Sequence, residues 1–360
     1  MSPTGIMAIK EFDVAIAWQA DHAYQAGARC TARVIRALGK VRETDTKLAQ
    51  RMRAWKGLTL KDAMPLRVTG GLHHLALTRT DERLVPVYNE ELTDQDAIDA
   101  IVVDMVAQHD AELVPWLDGP PQTNEAGRSA SLMGGLLWLA QRVPPRLELF
   151  ELGASAGVNT MLDRYRFDLG GTKVGPPTSV MQIAPEWRGV GAPPRPPSGF
   201  EIASVRGCDV APIDLSDPDS ALKLKAYVWP DAPERMARID AAIQLALEDA
   251  PDVVLEDAAD FVKAMFDEPQ PAGTTRAMFH SIMWQYLPNA AQDAITAMFE
   301  QRGATASRER TLAWVCLETD PATFRHELTV RCWAGEPSDG QPMKLAYAHP
   351  HGAWVEWIGV

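Results

Sequence analysis

The sequence has no apolar run of the ~20 residues needed to span a bilayer, and Met1 to Phe12 holds no apolar core of the kind a secretory signal needs. A membrane partner and a secreted protein are therefore not expected, and the cytoplasm is the default location. Cysteine is scarce and scattered: Cys30, Cys208, Cys316 and Cys332 form no C-x-x-C pair. That argues against a structural zinc site and for reduced thiols. Positive charge is in deficit. The formal charge is −13 and Lys and Arg form no dense run, so duplex nucleic acid is not an expected partner, while a small RNA substrate stays open. Internal repeats and low-complexity tracts are lacking as well, and the Pro-rich stretch Ala192–Gly199 reads as a loop. What remains is a 360-residue chain, 46% hydrophobic and 23% charged, long enough for two domains or one elaborated one.

Residues 1–123 read as a helical N-terminal domain. The spacing predicts helices over Phe12–Leu38, Leu48–Leu58 and Asp94–Leu117, the last with Thr93 or Asp94 as its cap. Another is expected from about Asn124 or Ala126 to Gln141, where Gly134-Gly135 marks either a close helix crossing or a weak spot. After Pro144-Pro145 the pattern changes. Strands are expected at Leu147–Glu151, Glu201–Arg206, Asp252–Glu256, Ala277–Met283 and Thr311–Leu317. Helices are expected at Val158–Tyr165, Asp219–Val228, Pro233–Asp249, Ala258–Phe266 and Ala290–Gln301. Glu327–Trp333, Lys344–Ala348 and Trp354–Ile358 read as closing strands without a helix between them, and the Gly/Pro-rich residues 168–199 as an inserted excursion. Alternating strands and helices over residues 124–360 argue for an α/β domain, a mostly parallel sheet with helices on both faces and an antiparallel edge.

The most informative segment is Glu151-Leu-Gly-Ala-Ser-Ala-Gly157: a strand, an acid, a turn of small residues, then an expected helix. Such a turn lets a ligand approach the backbone, and a helix start offers amide donors. Small residues that merely pack a helix on a strand would give the same pattern. A G-x-G-x-x-G nicotinamide fingerprint is missing, since Gly153 and Gly157 are four apart with no third glycine in register. Asp209 closes the second strand, and a turn-making role is its plain reading. Asp257, before Ala258, reads plainly as a helix cap. In Phe279-His-Ser-Ile-Met-Trp-Gln-Tyr286, His280 is a candidate general base or a hydrogen-bonded core histidine, and Trp284 and Tyr286 a candidate aromatic wall. Trp229-Pro-Asp231 with Arg235 and Arg238 reads as a helix start, with Asp231 as cap. His349-Pro-His-Gly352 and His73-His74 invite a metal reading, but a third ligand at a defined spacing is missing.

The strand order and the Glu151–Gly157 turn resemble the class I methyltransferase fold, whose sheet has seven strands, one of them reversed late. The first motif of that fold has three alternating glycines, and Ser155 stands at the middle one. The resemblance implies S-adenosylmethionine as cofactor, held by Glu151, Gly153, Ala154, Ser155, Gly157, Asn159, Asp209 on the ribose diol (with Asp214 as the fallback), Asp257 on the adenine, Ala258 and Ser281. It implies methyl transfer to a small-molecule substrate, with His280 as base and Tyr286 and Arg206 as orienting groups. A protein of the same fold that binds such a ligand as a sensor, without catalysis, is the second expectation, and a nicotinamide oxidoreductase the third. Glu151–Gly157, Asn159, Asp163–Asp168, Arg206–Asp214, Trp229–Asp231 with Arg235, Phe279–Tyr286 and His351–Trp354 together resemble one family spanning nearly the whole chain. These are the uncharacterised bacterial proteins grouped as domain-of-unknown-function family 2332, a likeness that brings no reaction with it.

Overall fold

The computed structural model describes residues 11–336 and 339–359. The chain forms two compact units. One reaches to Thr123 and takes in Asp217–Ala237; the other comprises Asn124–Ser216 and Arg238 onward. The second segment of the first unit differs from the sequence pattern, which placed residues 217–237 in the α/β domain.

The first unit is helical: α1 (Phe12–Gln25), α2 (Arg29–Arg42), α3 (Lys47–Arg53), α4 (Met64–Leu77), α5 (Gln95–Gln108) and α6 (Pro218–Ala226). The single helix expected over Phe12–Leu38 is two, parted at Gly27, whose φ of 89° no helix accommodates. Asp94 caps α5 by accepting from the Ala97 amide at 2.9 Å. Ile35, Leu38, Leu48, Met52, Leu72 and Ile98 fill the core. The Trp229-Pro-Asp231 motif serves this unit, but not as the cap of its own helix. Asp231 caps α2 from 200 residues away, accepting from the amides of Cys30 (2.7 Å) and Thr31 (2.8 Å) and the Thr31 hydroxyl (2.6 Å). His73 is occupied too: Nδ1 donates to the Ala226 carbonyl at 3.0 Å, and burial pushes its pKa down to about 4.

The second unit contains α7 (Ser129–Ala140), most of α8 (Pro233–Glu248), α9 (Ala258–Asp267) and α10 (Asn289–Gly303) around a sheet. Its strands are β1 (Arg146–Leu152), β2 (Arg166–Leu169), β3 (Thr172–Val174), β4 (Gln182–Ile183), β5 (Glu186–Gly189), β6 (Glu201–Asp209), β7 (Val253–Leu255), β8 (Thr274–Ser281), β9 (Arg310–Thr319), β10 (His326–Trp333), β11 (Met343–Ala348) and β12 (Trp354–Trp357). The large sheet has nine strands in the order β5-β12-β11-β10-β9-β8-β1-β6-β7. β7, β6, β1, β8 and β9 pair in parallel, β9 to β12 pair successively antiparallel, and β5 lies parallel to β12. The expected seven-stranded arrangement is thus not the one formed. Short connections leave no room for a crossover, so the closing strands fold as a meander. The excursion supplies the ninth strand, β5, and a separate three-stranded sheet, β3-β2-β4.

Helices cover both faces. Phe150, Leu152, Met278 and Trp314 pack with α9 and α10. On the other face α7, apolar all round, is buried throughout. A Cβ added at Gly135 would lie 3.2 Å from Val315 and 3.4 Å from Leu328, so the glycine pair marks a close helix–sheet approach rather than a helix crossing. From β1 the chain goes to β6 and β7 on one side and later to β8 and β9 on the other. The carboxyl edge at β1 and β8 is therefore the topological switch point, where open α/β sheets take their ligands.

Candidate functional site

The turn after β1 is stitched to the end of β6. The Ala154 amide donates to the Cys208 carbonyl (2.9 Å) and the Ser155 amide to Asp209 Oδ2 (2.8 Å). Gly153, Ser155 and Gly157 all have left-handed backbone, with φ of 65°, 53° and 69°. The serine thus keeps the conformation that a glycine would adopt without strain. A Cβ at Gly153 would lie 2.9 Å from the Met283 side chain, and one at Gly157 2.6 Å from Pro251. The protein's own packing therefore accounts for both glycines. The helix expected over Val158–Tyr165 is absent: the segment is a run of turns ending in one 3-10 turn, Leu162–Arg164. The Tyr165 hydroxyl donates to the Val158 carbonyl, and the Leu162 amide goes to Asn159 rather than back to Val158. No helix start follows β1 to receive a pyrophosphate.

Three acids close three adjacent parallel strands. Glu151 ends β1 with 2% of its surface exposed, and its Oε2 accepts from the Thr160 hydroxyl at 2.5 Å. Burial pushes its pKa up to about 8, and the nearby Asp209 charge adds to that against the Thr160 bond and Arg128. Asp209 ends β6, and its Oδ1 accepts from the Ala211 amide at 2.9 Å. Asp257 follows β7 and caps α9, accepting from the Ala259 amide at 2.8 Å, with Ala258 buried as the first helical residue. Both capping and turn-making roles foreseen for these acids are realised, and each carboxylate retains lone pairs beyond those bonds. Asn159 is fully buried, and neither of its side-chain amide atoms has a hydrogen-bond partner among the described residues.

At the end of β8 the site differs from the sequence-based picture. His280 is 1% exposed and both ring nitrogens are bonded: Nδ1–H donates to Glu318 Oε1 (2.7 Å) and Nε2 accepts from the Trp314 indole (2.8 Å). A ring held this way is a core histidine, and the role of general base is withdrawn. Arg206 is not at this edge. Its guanidinium pairs with Glu268 (2.7 Å) and Asp252 (3.5 Å), which precede β8 and β7 at the amino edge. Tyr286 is 76% exposed and forms no buried wall; Trp284 instead stacks on His280 at 5.1 Å. Ser281 contributes its carbonyl, which accepts from Arg128 Nη1 at 3.4 Å. Ile282 then turns left-handed, φ 51°, an outlier for a β-branched residue.

Glu318 and Arg128 escaped the sequence reading. Glu318 Oε1 also accepts from the amides of Met283 (3.0 Å) and Trp284 (3.3 Å), pinning the turn that covers Gly153. Nothing local marks either residue, because each acts on strands distant in sequence. Of the expected site residues, Glu151, Gly153, Ala154, Ser155, Asp209, Asp257, Ala258 and Ser281 gather at the carboxyl edge of β1, β6, β7 and β8. No curated protein and no solved structure matches the chain. A family model does match it, over residues 14–357, and the chain belongs to that family, described as "Uncharacterized protein conserved in bacteria (DUF2332)".

Proposed function

We propose that the carboxyl edge of β1, β6 and β7 binds S-adenosylmethionine and that the protein transfers its methyl group to a small molecule. One observation carries the reading: Glu151, Asp209 and Asp257 stand at the ends of three neighbouring parallel strands, beside a left-handed turn. Val210 and Leu255, 71% and 72% exposed, lie at the same strand ends, and Asp209 and Leu255 are register partners. Exposed apolar side chains beside carboxylates suit a ligand with a flat base, a diol and a cationic end. The largely desolvated Glu151 carboxyl favours a cation there, since a positive neighbour lets it ionise. Methyl transfer from a sulfonium is a displacement that depends mainly on alignment of the acceptor.

Met283 bears on a second reading. Its side chain occupies the space over Gly153, as suits a protein that takes the ligand as a sensor and opens only to admit it. Met side chains adapt readily, so both readings require the same movement. A nicotinamide enzyme is the weakest of the three because no helix start follows β1.

Isothermal titration with S-adenosylmethionine and S-adenosylhomocysteine tests the proposal. Heat is expected with both, lost in Gly153→Arg and strengthened severalfold in Met283→Ala. No heat with either ligand, in parent and Met283→Ala protein shown to be folded by circular dichroism, would sink it. Incubation with metabolite extract and a labelled methyl donor then separates enzyme from sensor.

A further inference from the structure

The turn between β8 and α10 lies over the backbone of Gly153, with Met283 as the residue in contact. A Cβ built on Gly153 would lie 2.9 Å from Met283 Cε, but also 3.0 Å from its Cγ and 3.0 Å from its Cβ. The last distance matters most. A methionine tip swings aside by a change of rotamer, whereas its Cβ is fixed to the main chain. The space over Gly153 is therefore cleared only by moving the turn itself.

Two opposed features set the position of that turn. Ile282 enters it with left-handed backbone, φ 51°. For a β-branched side chain that conformation is strained, and it persists only where neighbouring bonds impose it. The Ile282 amide donates to the Leu317 carbonyl at 2.9 Å, which ties the entry to β9. Against the strain stands Glu318, the next residue of β9. Its Oε1 accepts from the amides of Met283 (3.0 Å) and Trp284 (3.3 Å) and from His280 Nδ1 (2.7 Å). One carboxylate oxygen thus bridges strand and turn. The far end is held differently. Gln292 of α10 donates from Nε2 to the carbonyls of Trp284 (2.9 Å) and Leu287 (3.1 Å), and Leu287 and Pro288 are extended, with ψ of 140° and 142°. Gln285 and Tyr286 are exposed, so the outer face of the turn meets solvent.

We infer that this turn is a two-state gate over Gly153, with Glu318 as its latch and the Ile282 backbone as the strain that opens it. Glu318 is a positioning residue: it acts on the β1 edge only through Met283. The gate follows from the packing alone. Its service to a methyl donor rests on the methyl-transfer reading, in which the donor approaches the Gly153 backbone and so requires the open state. Hydrogen bonds to a carboxylate are roughly twice as strong as neutral ones, which favours the closed state. A ligand that binds only the open form is weakened by the fraction of molecules that are closed, so unlatching the turn tightens its binding by the same factor as it raises the open fraction.

The test is NMR of the full chain labelled with carbon-13 at its methionine methyls, with Met283 assigned by Met283→Leu. In the parent protein the Met283 methyl should show exchange on the microsecond to millisecond scale. Glu318→Gln, which keeps the size of the side chain and removes its charge, should raise the open fraction about fivefold. Ile282→Gly, which relieves the left-handed strain, should lower it about fivefold. Opposite signs separate a gate from ordinary packing, in which both substitutions loosen the turn. A Met283 methyl without exchange in the parent and in Glu318→Gln, an open fraction unchanged by Glu318→Gln, or one raised by Ile282→Gly would overturn the inference. Ile282→Gly keeps the test decisive if circular dichroism shows Glu318→Gln to be unfolded. Titration with S-adenosylmethionine then separates the two ideas. Binding tightened about fivefold in Glu318→Gln, with Met283 in its open position at saturation, joins the gate to the cofactor. The expected exchange without heat in any variant would leave the gate standing and remove the cofactor reading. Heat with Met283 still over Gly153 would do the reverse.

Discussion

The two edges of one sheet are built differently, and Glu148 and Glu151, three residues apart on β1, show how. At the amino edge Arg276 satisfies Glu148 from Nε (3.1 Å) and Nη2 (3.0 Å) and donates also to the carbonyls of Met265, Glu268 and Pro269. Arg206 is engaged there too, with Glu268 and Asp252. Both arginines thus have fitted carboxylate partners, as a structural network requires. At the carboxyl edge Glu151 has a single hydroxyl donor, Asn159 has no partner among the described residues, and Ser155 and Ile282 hold left-handed backbone. Incomplete pairing and local strain concentrate at the switch point, the end of the sheet where ligands bind.

The comparison can be broken or sharpened by substitution. Arg276→Ala should have the largest effect, destabilising by about 3–5 kcal/mol because the half-buried Glu148 loses its partner and three carbonyls lose their buried donor; urea denaturation measures it, and a loss under about 1 kcal/mol would show the amino edge to be less committed than its bonds imply. Glu151 carries a pH signature. Its pKa lies above that of an unfolded Glu, so folding takes up a proton, and stability is greatest below about pH 4.5 and falls as pH rises toward about 8. Glu151→Gln should remove that slope, gaining on the order of a few kcal/mol over the parent at pH 8 and almost nothing at pH 5. Parallel stability curves would rule out the raised pKa. Asn159→Leu should stabilise by roughly 1–2 kcal/mol if the amide is unpaired in the free protein, whereas a clear loss in thermal denaturation would reveal a hidden partner. Ser155→Gly is the smallest change, expected to add about 1 kcal/mol by relieving the left-handed serine, read from the same denaturation curves.

Much of the sheet was legible because strands buried on both faces write continuous apolar runs bounded by Gly and Pro. β9 is of this kind; β1 and β8 carry polar residues within the run but are bounded by Pro145, Gly153 and Gly273, and the expected ranges of all three differ from the observed ones by a few residues at the ends. The acids at the strand ends were legible by their position. The roles of His280 and Arg206 were not. Sequence shows a polar residue in an apolar run but not whether its partner is a ligand or Glu318 of the neighbouring strand, nor toward which edge a long guanidinium turns. The helix expected after Gly157 failed for a similar reason, because the Tyr165 hydroxyl takes a backbone carbonyl that local propensity assigned to a helix.

By itself, then, the sequence determined an α/β core with acids at the ends of its strands and a helical unit before it, since periodicity and turn chemistry are local properties. Tertiary structure alone decided the nine-stranded sheet, the capping of α2 by Asp231 from 200 residues away, and the bonds from Arg128 to the carbonyls of Ser281 and Pro350. Those depend on which distant segments become neighbours, and pairing across such separations is fixed by packing of the whole chain rather than by any window of it.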